Sequence, residues 1–423
     1  MLDIKFIVSN PEIVKEDLKK RYKVDRVWIV DELIEDYNRW KTLKSDLDNL
    51  RRSRNSLSEQ VNKLKKEKKD ASKILSEVKE IPEKISKMEE ESALLDKSMN
   101  EKLLKIPNIL HDSVPAGKDA ADNVEIRKWG KLVKKSFELV NHAELIEKLG
   151  YADFDAGRNN AGQGFNYLIS QMAQLDHALQ RYGIDFLLKK KFSLVVPPLM
   201  LNFDTLLSAL NGLEDFEQVV YKVEKENLYL IGTAEHALVS LLKNKILNKK
   251  DLPMKFCALT PCFRKEIGGH GVDTKGLFRM HQFNKVEQVV LALPENSFKM
   301  LEEMQKITEE FVQSLEVPYR VIEICSGDLG AKFAKQYDIE AWFPRQGKYA
   351  EITSAGSCTD YQSHALNIKY QKGEERDYVH ILNNTMVATS RMMVAILENF
   401  QQKDGSVNIP RVLQKYTGFK KIG

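Results

Sequence analysis

From Asp31 the chain loses glycine, gains charge, and repeats its apolar residues in alternating steps of three and four: Trp40, Leu43, Leu47, Leu50, Leu57, Val61 and Leu64, with Arg54 at one seam position. That spacing is the heptad of a helix whose apolar stripe lies against another helix. The polar run Lys65-Lys66-Glu67-Lys68-Lys69-Asp70 interrupts it, and the repeat resumes through Val78, Ile81, Ile85, Met88, Leu95 and Met99, with Ser92 in phase. Two matched stripes around one short turn predict an antiparallel helical hairpin over roughly 31–104, about 50 Å long at 1.5 Å per residue. Pro82 lacks an amide proton and crowds the preceding turn, which predicts a kink or a helix restart. Ahead of the hairpin, Asn10-Pro11-Glu12 opens a short helix running to Lys20.

Beyond Leu104 the pattern dissolves into Ile106-Pro107-Asn108-Ile109 and Val114-Pro115-Ala116-Gly117, turn chemistry that separates a first domain, 1–110, from a second, 111–423. In the second, Leu168, Met172, Leu175, Ala178 and Leu179 keep helical spacing, and Phe192 to Val196 reads as a strand stopped by Pro197-Pro198. Further strands are expected at Leu228–Ile231, Val286–Leu293 and Tyr319–Ile324. Strands separated by helices of varied length predict an α+β body: an antiparallel sheet flanked by helices.

A length of 423 residues suits two such units. No apolar run nears the roughly 20 residues needed to cross a bilayer, and Met1 to Phe6 lacks an export pattern, so no membrane association and a cytoplasmic location are expected. Cys257, Cys262, Cys325 and Cys358 have no C-x-x-C spacing; reduced thiols and no structural zinc are expected, with Cys257 and Cys262 as buried strand residues. A net charge of +4 carries little information by itself. Its placement matters more: the lysine-rich tip and Arg51-Arg52-Ser53-Arg54 put cations along the arm, where nucleic-acid phosphates release counterions. Taken alone, the arm fits a dimerising coiled coil or a spacer equally well. No P-loop and no G-x-G-x-x-G is present, so any ATP is held in another way.

Three islands hold the remaining chemistry. Phe263-Arg264-Lys265-Glu266, the stretch Gly268-Gly269-His270-Gly271-Val272-Asp273-Thr274-Lys275-Gly276 and Arg279-Met280-His281-Gln282-Phe283 read as two strands around a glycine-rich loop, with an arginine near each strand end. Glu351-Ile352-Thr353-Ser354 lies in the second island and Leu382-Asn383-Asn384-Thr385, leading to Arg391, in the third; Thr233-Ala234-Glu235 stands upstream. In this order the islands resemble the second and third signature motifs of class II aminoacyl-tRNA synthetases, specifically those of the seryl-tRNA synthetases. The segment into Pro197-Pro198 resembles the first motif, and the arm with its Ile106-Pro107-Asn108 linker matches too, so the resemblance covers essentially the whole chain.

The resemblance implies activation of L-serine by ATP and transfer of the seryl group to tRNA(Ser), with tRNA(Sec) left open as a second acceptor. It also implies a homodimer joined through the helix and strand ending at Pro197-Pro198, each arm reaching tRNA held by the partner subunit. Arg264, Arg391 and Glu351 are the implied catalytic set: Arg264 on the α-phosphate and serine carboxylate, Arg391 on the γ-phosphate, Glu351 with Ser354 on Mg2+. Planar guanidinium forks and hard oxygen ligands suit those tasks. Lys265, Glu266, Met280, Phe283, Ile352 and Thr353 complete the implied ATP site, Phe283 as a stacking face for adenine. Thr233, Ala234, Glu235, Glu287, Asn383 and Thr385, with Arg264 again, form the implied serine pocket: Glu287 and Thr385 read the hydroxyl, Thr233 and Glu235 lie near the ammonium. Against that role for Glu287 stands a plain ion pair with Lys285 or Arg279. Lys265, Val272 and Ala355-Gly356-Ser357 depart from the commonest pattern, while His236 and Lys275-Gly276 resemble archaeal or eukaryotic relatives.

Overall fold

The computed structural model describes every residue except Val133, 211–218 and 267–275, so the glycine-rich loop expected between two strands, Val272 and Lys275 included, lies outside the described residues. The chain divides into two compact units, Leu2–Lys19 with Lys23–Ile106, and Pro107–Gly423 with Met1 and Lys20–Tyr22.

In the first unit, Pro11–Lys20 forms the expected short helix, with proline at the first helical position where no amide is needed. Two long helices follow, α1 (Val27–Lys66) and α2 (Ser72–Leu103). Leu47 and Val61 of α1 are buried with Ile81, Ile85, Ser92, Leu95 and Met99 of α2, all of them seam positions. The direction is antiparallel: Asp36 accepts from Ser98 (2.8 Å) and Lys102 (2.7 Å), Arg39 pairs with Glu91 at 3.1 Å and Arg51 with Glu89 at 2.7 Å. Exposed pairs of this kind contribute only about 0.2–1 kcal/mol each, so the apolar seam holds the hairpin. The helix begins four residues ahead of Asp31, and α2 runs through Pro82 without the expected restart. Burial of Ile81 and Ile85 on either side offsets the hydrogen bond that proline removes.

In the second unit the described residues form an eight-stranded sheet from β1 (Val124–Trp129), β2 (Ser193–Leu194), β3 (Met254–Phe263), β4 (Gln282–Ala292), β5 (Tyr319–Glu323), β6 (Lys335–Phe343), β7 (Lys348–Ser357) and β8 (His380–Ala388), in the order β1-β5-β6-β7-β8-β4-β3-β2. Every pairing is antiparallel except β2 with β3, which is parallel, so the sheet is mixed rather than purely antiparallel. Both faces are covered: Val286, Val290 and Ala292 of β4 join one core with helices α3 (Ser170–Lys189), α5 (Ser297–Ser314) and α6 (Thr389–Phe400), while Val289 and Leu291 join another with α4 (Ala234–Ser240). Met172, Leu175, Ala178 and Leu179 are buried along α3 as their spacing requires, whereas Leu168 precedes the helix in a two-residue strand. The strand expected at 192–196 shrinks to Ser193–Leu194, because two prolines end its hydrogen bonding, and Tyr229–Leu230 pairs with Met200–Leu201 outside the main sheet. Cys257 and Cys262 are buried on β3. No helix among the described residues is long and apolar enough to cross a membrane.

Candidate active site

Strand alternation builds the site. Along β4 a period of two puts Phe283, Lys285 and Glu287 on one face and Val286, Gln288 and Val290 on the other. Glu287 faces Thr385 across the β4–β8 pairing. Its carboxylate, 2% exposed, is a hub: Thr233 Oγ1 donates to Oε2 at 3.0 Å, Thr385 Oγ1 lies 3.4 Å from Oε1, and Lys285 Nζ pairs with Oε2 at 2.5 Å. The ion pair weighed for Glu287 is therefore present, with Lys285; Arg279 instead pairs with Glu266 at 2.8 Å. Thr233 caps α4, its Oγ1 also accepting the Glu235 amide proton at 3.3 Å.

A second local device is a β-bulge. Across the β6–β7 pairing Asp338 faces Ser354 and Glu340 faces Glu351, so β7 has one residue more than β6 between the two pairs. Asp338 and Glu340 share a face, being two apart, and the extra residue brings Glu351 and Ser354 onto that same face despite their odd spacing. Ile352 and Thr353 occupy the bulge; Thr353, 1% exposed, faces Ile339 and its hydroxyl finds no hydrogen-bond partner among the described residues. Ser354 Oγ accepts from Gln336 at 3.0 Å, and so does Asp338, at 3.1 Å. Burial, reinforced by the neighbouring Glu351, pushes the Asp338 carboxyl up to about 8.

Arg264 follows β3, its Nε donating to the Gly232 carbonyl at 3.1 Å and its guanidinium 5.5 Å from the Phe283 ring centroid. Arg391, in the first turn of α6, pairs with Glu351 at 3.1 Å and lies 5.2 Å from the Phe278 centroid. Aromatic faces thus hold both guanidiniums. One pocket is lined by Arg264, Glu266, Met280, Phe283, Glu351, Ile352, Thr385 and Arg391, joined by Phe278, Arg279, Lys285, Ala388 and Ser390. Most of the expected ATP residues meet there. Lys265, whose amide donates to the Val219 carbonyl at 3.0 Å, does not line it, nor do Thr353 and Ser354.

The other residues expected in the serine pocket do not line that cavity. Asn383 is buried on β8, its amide 3.7 Å from Cys358 Sγ; Ala234 is fully buried at the start of α4. Glu235, 5% exposed, accepts from Lys332 at 2.5 Å and from Gln362 at 2.8 Å. Burial raises its pKa, but Lys332 and its other neighbours outweigh that and hold the carboxyl below its ordinary range. Burial drives adjacent His236 down to about 3, aided by the charges of Lys332, Arg264 and Lys285 against the opposing pull of Glu235. Sequence reasoning gave no role to Phe278, Lys332 or Asp338. For Asp338 a signal existed, two carboxylates alternating with apolar residues in Tyr337-Asp338-Ile339-Glu340; for Lys332, brought to Glu235 from far along the chain, none did.

As to an ion between phosphates, Glu351 and Ser354 present hard oxygens on one face, and no group of three or more His, Cys, Asp or Glu among the described residues forms a cage. That donor set fits Mg2+, which keeps few protein ligands and takes the rest from phosphates and water.

The family described as "Seryl-tRNA synthetase N-terminal domain" matches residues 1–110, and "tRNA synthetase class II core domain (G, H, P, S and T)" matches 221–400. The serine--tRNA ligase of Methanospirillum hungatei is 45% identical over 426 residues, covering 100% of both chains. Among solved structures, seryl-tRNA synthetase from Pyrococcus horikoshii complexed with ATP superposes with a TM-score of 0.91 at 45% identity, covering 100% of this chain and 99% of that one. The cytoplasmic serine-tRNA ligase of Naegleria fowleri in complex with AMP gives 0.86 at 34% identity, covering 100% and 98%. Likeness of this extent, spanning arm and catalytic body alike, means that the chain belongs to the seryl-tRNA synthetase family.

Proposed function

We propose that the pocket between β4, β7, β8 and α6 divides the serine--tRNA ligase reaction among the residues named above. In the first step a serine carboxylate oxygen bonds to the α-phosphorus of ATP while the bond to the β-phosphate oxygen breaks, giving seryl-adenylate and pyrophosphate. In the second, the terminal adenosine hydroxyl of tRNA(Ser) attacks the seryl carbonyl and AMP leaves. Charge builds on phosphoryl oxygens in the first step, so fixed cations matter more there than a general acid or base. Arg264 holds the α-phosphate and serine carboxylate, Arg391 the γ-phosphate, and Phe283 with Met280 and Glu266 the adenine end. Glu351 and Ser354 would hold Mg2+, which supplies further neutralisation of the phosphates. Glu287 and Thr385 accept and orient the serine hydroxyl, Thr233 and Glu235 the ammonium, with Asn383 behind them.

The observation carrying this reading is the convergence of Arg264, Arg391, Glu351 and Thr385 on one pocket, with the buried Glu287 carboxylate 3.4 Å from the Thr385 hydroxyl. The arm's cationic tip binds tRNA, tRNA(Sec) being a second candidate acceptor. A homodimer forms through α3 and the segment ending at Pro197-Pro198, a reading supported by the exposure of Leu194 (44%) on edge strand β2 and of Val196 (92%) just beyond it. Four unpaired cysteines suit a reducing cytoplasm. Exchange of labelled pyrophosphate into ATP tests the assignment: Arg264→Ala should lower the serine-dependent rate by at least about a hundredfold, and a rate within threefold of the parent would overturn it.

A further inference from the structure

The serine pocket is backed by two buried ion pairs. Lys285–Glu287 follows from strand neighbours, but Lys332–Glu235 joins the loop before β6 to the start of α4, and both side chains are only 6% exposed. The two donors to Glu235 are one-sided. Lys332 Nζ and Gln362 Nε2 both reach Oε1, at 2.5 Å and 2.8 Å, and no described residue donates to Oε2. Gln362 is itself fixed by a second bond, 2.8 Å to the Ala209 carbonyl.

The loop carrying Lys332 is held rigidly. The Asn108 side chain donates to the Lys332 carbonyl at 2.9 Å, the Asn108 amide to the Ala331 carbonyl at 2.7 Å, and the Ala334 amide to the Ser357 carbonyl at 2.8 Å. The Phe333 ring fills the space that Gly356 leaves open: a Cβ on Gly356 would stand 2.3 Å from it. The close fit of Phe333 against Gly356 thus helps fix the backbone that aims Lys332.

We infer that Lys332 is a positioning residue of the serine pocket: it pins Glu235 by one carboxylate oxygen and keeps it charged, leaving the other oxygen for the ammonium of the substrate. The inference rests on the assignment of Glu235 to the ammonium end. A buried carboxylate deprived of its cation takes up a proton instead, and the neutral acid is a poor partner for an ammonium. Lys332 acts through Glu235 and touches no reacting atom.

The test is a cycle of Glu235→Gln, Lys332→Met and the double variant in the full-length protein, read by pyrophosphate exchange with serine and ATP varied separately. Lys332→Met should raise the KM for serine about tenfold or more, as loss of a charge-assisted contact does, while the KM for ATP stays within about twofold. In the Glu235→Gln background the same substitution should add nothing, because the carboxylate it positions is gone. A serine KM unchanged by Lys332→Met while Glu235→Gln raises it would overturn the inference alone. A serine KM unchanged by Glu235→Gln would overturn the assignment of Glu235, and this inference with it. Should Lys332→Met fail to fold by circular dichroism, the neutral double variant compared with Glu235→Gln still decides: equal serine KM values support the positioning role and unequal ones refute it.

Discussion

Glu287→Gln separates a substrate-reading carboxylate from the partner of a buried lysine. The substitution keeps shape and removes charge from a side chain 2% exposed, leaving Lys285, 8% exposed, without its counterion. Breaking a buried pair from one side costs about 3–5 kcal/mol of stability. Hydrogen bonds to a charged group contribute about 1.5–3 kcal/mol, so losing the carboxylate proposed to meet the serine hydroxyl should raise the serine KM about ten- to a hundredfold. Adding Lys285→Met makes the pair neutral and should recover most of the stability, measured by urea unfolding. It should not recover the serine KM, measured by pyrophosphate exchange at saturating ATP. If the double variant regained both, Glu287 would be the counterion of Lys285 and nothing more.

Three further outcomes follow from the same structure. Lys65, Lys66 and Lys68 at the arm's tip are exposed; replacing all three by alanine should leave pyrophosphate exchange intact and reduce the salt dependence of tRNA binding by about 2–3 in slope, and an unchanged slope would take the tip out of the interface. Gly356→Ala places a Cβ 2.3 Å from the Phe333 ring and should cost about 1–3 kcal/mol in urea unfolding, relieved by adding Phe333→Leu; failure of that relief would deny the contact. His236, with its pKa lowered from 6.5 to about 3, contributes stability that is fully present above pH 6.5 and is lost as pH falls towards 3, because the unfolded chain takes up the proton first. Between pH 7 and 5 the unfolding free energy of the parent should fall relative to that of His236→Gln, by up to about 1.4 kcal/mol per pH unit; parallel curves would contradict the buried neutral imidazole.

The arm was legible because a heptad is a local pattern: Leu47, Val61, Ile81 and Ile85 are spaced in the sequence as they are buried in the hairpin. At Pro82 local propensity predicts a kink or a restart, and the helix continues through it without a restart along the buried seam. In the body, a strand was legible at Val286–Leu293, which the structure places at Gln282–Ala292, but the pairing order of the sheet depends on contacts between distant segments that no short window contains. Glu351 and Ser354 carried an odd spacing that would send them to opposite faces of a regular strand, and only the bulge at Ile352 reconciles them. The roles of Arg264 and Arg391 came from family likeness rather than from physics, because an arginine near a strand end is chemically indistinct until Phe283, Phe278 and Glu351 are seen around it. Lys332 was invisible for the plainest reason: 97 positions separate it from Glu235.

Serine-dependent pyrophosphate exchange by the purified full-length chain tests the central claim most directly. With ATP and Mg2+ present, label should enter ATP when serine is added, with far less incorporation for alanine, which lacks the hydroxyl proposed to bond Glu287 and Thr385. Folded protein that shows no serine-dependent exchange, or that exchanges equally well with alanine, would contradict the account.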